Sequence, residues 1–232
     1  MPIYLHETVD VIPGRMREYL EGMESVFLPI GDERRLILSG FFQTAGVSGR
    51  WPEVVAMWTV RDWDDHVWQR KSAGDHPNLS MWQQKGITYR SGGFDRILMP
   101  VPSSPLLPTR PDFRARGGVC LQQTFTVRPG RARAFVDAFD RGVAGRAAEA
   151  ELTLETLGRS VFRPFEYVAV WSLADWDAYG RMQKRRHPVD ESSNLPGLES
   201  LLDELTALEE KVLIPARFSP LGGGGDSSVY TG

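Results

Sequence analysis

Hydrophobic and polar residues alternate with a period of two over residues 3–12 (IYLHETVDVI), which predicts a β-strand. One face of this strand is apolar apart from Glu7. The other face carries a polar row: Tyr4, His6, Thr8 and Asp10. Pro13 and Gly14 end the strand, and the apolar residues that follow recur at helical spacing. The chain is therefore predicted to begin with a strand and an amphipathic helix.

The next segments predict two strands and a second helix. Residues 36–46 (LILSGFFQTAG) and 53–60 (EVVAMWTV) have strand patterns and are joined by a turn. Asp62 is predicted to begin the helix, because its carboxylate can accept a backbone N–H of the first turn. Residues 93–101 (GFDRILMPV) predict a closing strand. The order β-α-β-β-α-β is the ferredoxin-like arrangement.

The same unit occurs a second time in the chain. EVVAMWTVRDWDDH at 53–66 matches EYVAVWSLADWDAY at 166–179, TVDVIPGR ending at Arg15 matches TFTVRPGR ending at Arg131, and ILMPVPSSPL at 97–106 matches VLIPARFSPL at 212–221. Residues 100–118 are rich in proline and the C-terminus contains LGGGGDSS. We therefore predict an α+β chain with a first ferredoxin-like repeat at 1–100, a linker at 101–117, a second repeat at 118–221 and a flexible tail at 222–232.

Composition excludes several classes of protein. The 232 residues are 41% hydrophobic and 25% charged with a net charge of −3, so an ordinary core is expected and there is no basic surplus for nucleic acid. The single cysteine, Cys120, excludes an intrachain disulfide framework and a cysteine-rich zinc site. No stretch resembles a membrane span or a signal peptide, so we expect a cytoplasmic protein with no membrane partner.

The residues also carry a family resemblance. The strand ending in Pro-Gly, the third strand running into Asp-Trp-Asp, and the closing LMPVPSSPL and LIPARFSPL resemble the NIPSNAP family within the dimeric α+β barrel superfamily. This resemblance implies that two ferredoxin-like sheets pack face to face, so that a tandem chain could form the barrel by itself. It also implies a range of chemistries, from cofactor-free monooxygenases, cyclases and isomerases to heme enzymes and proteins without catalysis.

The repeat provides an internal comparison for the tryptophans. The pairs Trp58/Trp171 and Trp63/Trp176 occur in both copies, which predicts that they pack in the core. Trp51, Trp68 and Trp82 have no tryptophan counterpart in the second copy. They could fill a different core, but this excess favours a large apolar pocket in the N-terminal half. The candidate substrate-binding residues are Thr8, Trp51, Trp58, Trp68, Trp82, Gln122 and Arg163.

The histidines show a similar asymmetry, because His6 aligns with Gln122 and His66 aligns with Tyr179. A neutral imidazole at His6 beside the phenol of Tyr4 could move a proton if the polar row faces a cavity; the alternative is a hydrogen-bonded buried histidine. His66 is expected either at the edge of a pocket or on the surface. His76, like His187, precedes a proline in a loop that could contact a ligand, whereas the presence of this histidine in both copies favours a structural loop. The candidate catalytic residues are Tyr4, His6, His66 and His76.

These patterns predict a small-molecule enzyme of specialised metabolism that needs no cofactor. The expected substrate is hydrophobic, aromatic or polyketide-like, and the expected reaction is cyclisation, isomerisation or oxygenation by acid-base chemistry. Motifs for nucleotide cofactors and hydrolytic triads are absent from the sequence, and its four histidines lack metal-ligand spacing. One alternative is a heme enzyme of the chlorite dismutase type with His187 as ligand, and another is a non-catalytic binding or interaction protein. Association into homo-oligomers is also expected.

Overall fold

The computed structural model describes residues 1–107, 118–186 and 197–222. Most of the predicted linker, the predicted tail after Gly222, and His187 lie outside these ranges. The described residues form an α+β fold in which helices cover a single closed sheet. No helix within these ranges is both long enough and apolar enough to cross a membrane.

The first half of the chain contains four strands and two helical segments between them. The strands are β1 (Ile3–Val11), β2 (Ile37–Thr44), β3 (Glu53–Val60) and β4 (Arg90–Pro100). Helix α1 (Met16–Gly22), a π-helical turn (Met23–Phe27) and α2 (Leu28–Glu33) connect β1 to β2, whereas α3 (Trp63–Lys71) and α4 (Pro77–Gly86) connect β3 to β4. All four predicted strands are present, with ends within a few residues of the predicted ones.

The second half has a corresponding order of elements. Its strands are β5 (Val119–Val127), β6 (Thr153–Ser160), β7 (Glu166–Leu173) and β8 (Leu205–Pro215). Between β5 and β6 lie α5 (Ala132–Ala138), a π-helical turn (Phe139–Ala144) and a 3-10 turn (Ala147–Ala150). Helix α6 (Trp176–Arg186) follows β7, and a 3-10 helix (Leu198–Glu204) precedes β8.

The eight strands close into one barrel in the order β1-β3-β2-β8-β5-β7-β6-β4, with all neighbours antiparallel. Two short seams join the halves. At one seam Phe42 to Thr44 of β2 pair with β8, and at the other Leu98 to Pro100 of β4 pair with β6. A single chain therefore completes the barrel without a second subunit.

Alternation along the strands separates two environments. One set of side chains fills the barrel interior, including Tyr4, Phe42, Met57, Leu98, Val170 and Leu213. The other set packs beneath the helices in one apolar cluster for each half, with Trp58 and Trp171 at their centres. The two faces predicted for β1 are confirmed, since Ile3, Leu5 and Val9 belong to the helix-side cluster.

The two Asp-Trp-Asp motifs cap the helices as predicted, but their tryptophans are not core residues. The carboxylate of Asp62 accepts the backbone N–H of Asp65 at 2.9 Å, and that of Asp175 accepts the N–H of Ala178 at 2.7 Å. Trp63 and Trp176 are each 39% exposed, so the prediction that they build the core is wrong. Polar contacts hold α3 on its buried side instead, where Gln69 donates to the carbonyl of Arg34.

Candidate functional site

A cavity of about 310 Å³ lies on the helix-covered face of β1 and β4; we call it cavity one. Leu5 and Ile97 give it an apolar floor. Trp63, His66 and Arg70 of α3 line one side, and Phe162 reaches in from the β6–β7 hairpin of the other half. Cavity one therefore combines aromatic walls with charged groups.

Glu7 is the central acid of cavity one. It is partly buried, lies opposite Asp95 in the β1–β4 register, and accepts a hydrogen bond of 2.9 Å from the indole Nε1 of Trp58. Burial and, secondarily, the charge of Asp95 raise the pKa of Glu7 to about 7, although the Trp58 hydrogen bond acts in the opposite direction. Both protonation states of Glu7 are therefore populated near neutral pH.

Asp95, His66 and Arg70 line cavity one together with Glu7. Burial raises the pKa of Asp95, while the guanidinium groups of Arg70 and Arg90 act in the opposite direction. Burial and then the charge of Arg70 lower the pKa of His66, so its imidazole is neutral at neutral pH. The Nδ1 atom of His66 is buried and has no hydrogen-bond partner among the described residues.

Such an arrangement is suited to proton transfer on a flat aromatic molecule. Trp63 packs edge-on against His66, with ring centroids 5.7 Å apart and an interplanar angle of 86°. Its partly exposed ring and that of Phe162 offer aromatic surface to a ligand. A carboxylate near its pKa can remove a proton, and a neutral imidazole that lines the same cavity can donate a hydrogen bond to an oxygen of the same molecule.

Tyr4 and His6 lie in the barrel interior, not in cavity one. Both are 0% exposed, and His6 Nε2 shares a hydrogen bond of 2.8 Å with Oε1 of Gln122. The hydroxyl of Tyr4 accepts the backbone N–H of Leu107 at 3.0 Å. Burial and the charge of Arg96 lower the pKa of His6 to about 4. The structure therefore corrects the placement of this predicted pair, because neither side chain can meet a substrate while the barrel stays closed.

The interior around His6 is filled by ion pairs that join the two halves. Arg96 of β4 contacts Glu166 at 2.6 Å, and Lys211 of β8 contacts Glu53 at 2.6 Å. These two pairs occupy matching positions, since Arg96 lies opposite His6 and Lys211 lies opposite Gln122 in the strand registers. The polar row of β1 thus faces a packed polar interior. His6 is therefore a hydrogen-bonded buried histidine, which was the alternative to a role in proton transfer.

The other predicted residues are dispersed over the molecule. His76 caps α4, because its Nδ1 accepts the N–H of Leu79 at 3.2 Å while Nε2 contacts Glu33. This geometry makes it a structural residue. Among the predicted catalytic residues only His66 lines cavity one. Thr8 is buried in the barrel and borders a separate shallow cavity beside Gly92 and Gly93.

The predicted tryptophan pocket does not form as a single site. Trp58 and Trp82 are buried in the helix-side core, at 1% and 5% exposure. Trp68 is on the surface of α3, where the guanidinium of Arg35 lies 4.2 Å from its ring centroid. Trp51 belongs to the β2–β3 hairpin and lines a different cavity. Arg163 pairs with Glu166 at 3.3 Å and does not line cavity one.

Sequence reasoning missed Glu7, Asp95 and Arg70. One signal was available, because Glu7 is the charged residue on the otherwise apolar face of β1. The comparison of the halves was a second signal, since Gln123 of β5 takes the place of Glu7. Asp95 and Arg70 gave no comparable signal, because exposed charges on strands and helices are common.

No group of three His, Cys, Asp or Glu side chains in the described part of the chain is placed to hold a metal ion. The heme alternative depended on His187, which lies outside the described residues. The predicted absence of a cofactor stays a prediction.

No family model matches the chain, and no curated protein matches it. Solved structures do. A proposed monooxygenase from Lactobacillus acidophilus is 14% identical, with a TM-score of 0.62 over 92% of this chain and 93% of its own. An anthrone oxidase-like protein is 10% identical, with a TM-score of 0.59 over 93% of this chain and 91% of its own. At these identities the likeness shows the fold alone.

The structural neighbours include NIPSNAP family proteins. One from Agrobacterium tumefaciens is 24% identical, with a TM-score of 0.42 over 46% of this chain and 99% of its own. The family that the sequence resembles is thus present among the neighbours, and the α+β barrel fold is shared with the full-length matches.

Proposed function

We propose that this chain is a small-molecule enzyme that removes a proton from an aromatic or polyketide-like carbon acid in cavity one, with Glu7 as the base. The proposal rests on one observation: the indole of Trp58 donates a hydrogen bond to the Glu7 carboxylate, which lines a cavity with aromatic walls. This role replaces the one that the sequence suggested for His6, because Glu7 lines a cavity and His6 does not.

The chemical argument rests on the match between the base and its substrate. A base with a pKa of about 7 is half ionised near neutral pH and can return the proton after the reaction. A carbon between a carbonyl and an aromatic ring gives up a proton to form a delocalised enolate or phenolate. The neutral imidazole of His66 and the cation of Arg70 are in position to favour that oxygen anion.

The carbanion has two fates that need no bound cofactor. Return of the proton to a different carbon completes an isomerisation, and attack on a second carbonyl of the substrate completes a cyclisation. Oxygenation would consume dioxygen: a CH₂ group and O₂ give a carbonyl and water. The names of the full-length structural neighbours support the oxygenase form, although they belong to those proteins.

Proton removal can be tested without knowing which fate follows. Anthrone, a three-ring carbon acid, is incubated with the protein in D₂O without oxygen, and exchange of its methylene protons is followed by NMR. Wild-type protein should accelerate exchange, and Glu7→Gln should lose about 100-fold or more of that acceleration. Glu210→Gln is the control, because it removes a carboxylate from the same outward-facing position of β8 that Asp95 occupies on β4.

No acceleration by wild-type protein would contradict the proposal. If anthrone then bound without exchange, the second candidate function, a non-catalytic binding protein, would take its place. An exchange rate unchanged in Glu7→Gln would reject Glu7 as the base while leaving the enzyme in place. Admission of air to the exchanging sample then separates oxygenation, which consumes dioxygen, from isomerisation and cyclisation.

Several finer features belong to the same proposal. We regard the two halves as tandem copies of one ferredoxin-like unit, which the corresponding element orders and the matched interior ion pairs support. A hydrophobic small-molecule partner, a cytoplasmic location and association into homo-oligomers remain predictions from the sequence.

A further inference from the structure

We propose that a cavity between the two halves of the chain is a binding site for a neutral, flat aromatic molecule, separate from the proton-transfer site. The site is a cavity of about 440 Å³ on the helix-covered side of β8; we call it cavity two. It opens between α6 and the β2–β3 hairpin, residues 45–52. Its volume is in the range of small-molecule sites and suits two or three fused rings.

The walls of cavity two are mainly apolar and aromatic. Val212 and Ile214 of β8 form its floor, and Trp176 and Tyr179 of α6 form one side. Trp51 completes the opposite side from the hairpin of the first half. No charged side chain lines the cavity in the described part of the chain, so the lining favours an uncharged ligand.

Three residues of cavity two are the second-half counterparts of residues in cavity one: Trp176 of Trp63, Tyr179 of His66 and Val212 of Ile97. Trp176 packs edge-on against Tyr179 with centroids 5.5 Å apart and an angle of 82°, nearly the geometry of Trp63 and His66. Each cavity is also closed by a hairpin from the opposite half, which supplies Trp51 here and Phe162 in cavity one. The framework that forms an aromatic slot is therefore present twice.

The acid-base groups, in contrast, are present once. Gln123 replaces Glu7, and its Oε1 accepts the indole N–H of Trp171 at 2.9 Å. Glu210 takes the position of Asp95, but Gln123 donates to it at 2.7 Å and Arg186 contacts it at 2.6 Å. Neither Gln123 nor Glu210 lines cavity two. Cavity two thus has an aromatic slot without a carboxylate in its lining, which suits binding without proton transfer.

The rim of cavity two is exposed apolar surface. Val47 is 96% exposed and Trp51 is 69% exposed, both on the same hairpin. A flat ring inserted between Trp51 and Trp176 would cover part of this surface, and stacking on indole rings would orient it. The hydroxyl of Tyr179 and the amide of Gln43 are the neutral polar groups available to a ligand hydroxyl.

The test is a calorimetric titration at pH 7 with 2-naphthol, a neutral two-ring probe, and with 2-naphthoate, its anionic match. We expect 2-naphthol to bind, and we expect 2-naphthoate to bind at least about 10-fold more weakly because no cation lines the site. Trp51→Ala should weaken 2-naphthol binding about 10-fold or more. Trp63→Ala is the matched control, since it removes an aromatic wall of cavity one and should leave the cavity-two site unchanged.

Val47→Asp provides a second variant that does not depend on the packing of the hairpin. The side chain at 47 is almost fully exposed, so the fold should tolerate aspartate, while the added charge should weaken 2-naphthol binding. Absence of 2-naphthol binding would overturn the proposal. The proposal would also be overturned if Trp63→Ala abolished 2-naphthol binding while Trp51→Ala and Val47→Asp left it intact. The Glu7→Gln protein should still bind, so this outcome is separate from the fate of the proposed base.

Discussion

The indole Nε1 of Trp58 donates a 2.9 Å hydrogen bond to Oε2 of Glu7, and the equivalent Trp171 donates a 2.9 Å bond to the amide of Gln123. The same framework therefore holds an acid in one half and an amide in the other. Because an amide carries no charge, its burial costs less than that of a carboxylate. The acid at position 7 is thus retained at a cost in stability, as is common for functional groups.

Glu7→Gln should therefore stabilise the protein at alkaline pH. The pKa of Glu7 is raised from 4.5 to about 7, so its contribution to stability is present below pH 4.5 and is lost as the pH rises through 7. At pH 8 we expect the variant to gain on the order of 1–3 kcal/mol in free energy of unfolding. Urea unfolding at pH 5 and pH 8 measures this, and the gain should be larger at pH 8.

The reverse change in the second half is the matched control. Gln123→Glu places a carboxyl group beneath Trp171 at a position with 0% exposure, next to Glu210. The Gln123→Glu substitution should lower the free energy of unfolding most strongly at pH 8. Equal stability of wild type and Glu7→Gln from pH 5 to pH 8 would contradict the raised pKa of Glu7.

His66 should contribute to proton transfer, whereas its counterpart should not. The neutral imidazole lines cavity one, so it can hydrogen-bond an oxygen of the substrate. His66→Phe should slow anthrone exchange by about 10- to 100-fold, which corresponds to one lost hydrogen bond to a developing anion. Tyr179 occupies the position in cavity two that is equivalent to His66, so Tyr179→Phe should leave anthrone exchange unchanged. Equal rates in both variants would remove His66 from the site.

The sequence was sufficient for the elements that depend on local pattern and on repetition. The period-two alternation of β1 placed Leu5 and His6 on opposite faces of the strand, as observed. Asp62 and Asp175 cap their helices because capping depends on neighbouring residues alone. These features are decided within a few residues, so one sequence suffices to predict them.

The site depended on contacts between distant strands and could not be derived in the same way. Glu7 meets Asp95 only because β1 pairs with β4, and Phe162 reaches cavity one only because the barrel closes through the β4–β6 seam. The polar row of β1 indicated His6 as a candidate catalytic residue, but the sequence does not show whether the barrel interior is open or filled. Arg96 and Glu166, separated by 70 positions, fill it.

The buried His6 should affect the acid side of the stability curve. Its pKa is lowered from 6.5 to about 4 by burial and by the nearby cation of Arg96, with a smaller effect of Lys211. The stability that neutral His6 contributes is therefore complete above pH 6.5 and is lost as the pH falls toward 4. His6→Gln, which copies Gln122, should flatten the loss of stability in this window by up to about 1.4 kcal/mol per pH unit.

Urea unfolding of both proteins at half-unit steps from pH 5 to pH 7.5 tests this prediction. At pH 7.5 the variant should be less stable than wild type, because it disturbs a fully buried hydrogen bond. The difference should shrink as the pH falls. Parallel curves over the whole window would show that His6 has the same pKa in the folded and unfolded chains.

The pair Arg96–Glu166 should be the most sensitive link between the halves. Both side chains are largely buried, and two hydrogen bonds of 2.6 and 3.4 Å join them. Arg96→Met leaves the Glu166 carboxylate without this partner, which should cost about 3–5 kcal/mol of stability. Arg163→Met removes a second, half-exposed partner of the same carboxylate at 3.3 Å and should cost less than about 1 kcal/mol.

A double variant distinguishes a lost ion pair from lost packing. In Arg96→Met with Glu166→Gln no carboxylate remains to be compensated, so the loss of stability should be smaller than the sum of the two single losses. Removal of the cation should also raise the pKa of His6, since Arg96 helps to lower it. If Arg96→Met costs no more than Arg163→Met, the interior ion pairs do not hold the barrel together, and the apolar cluster around Leu98 and Val170 must do so.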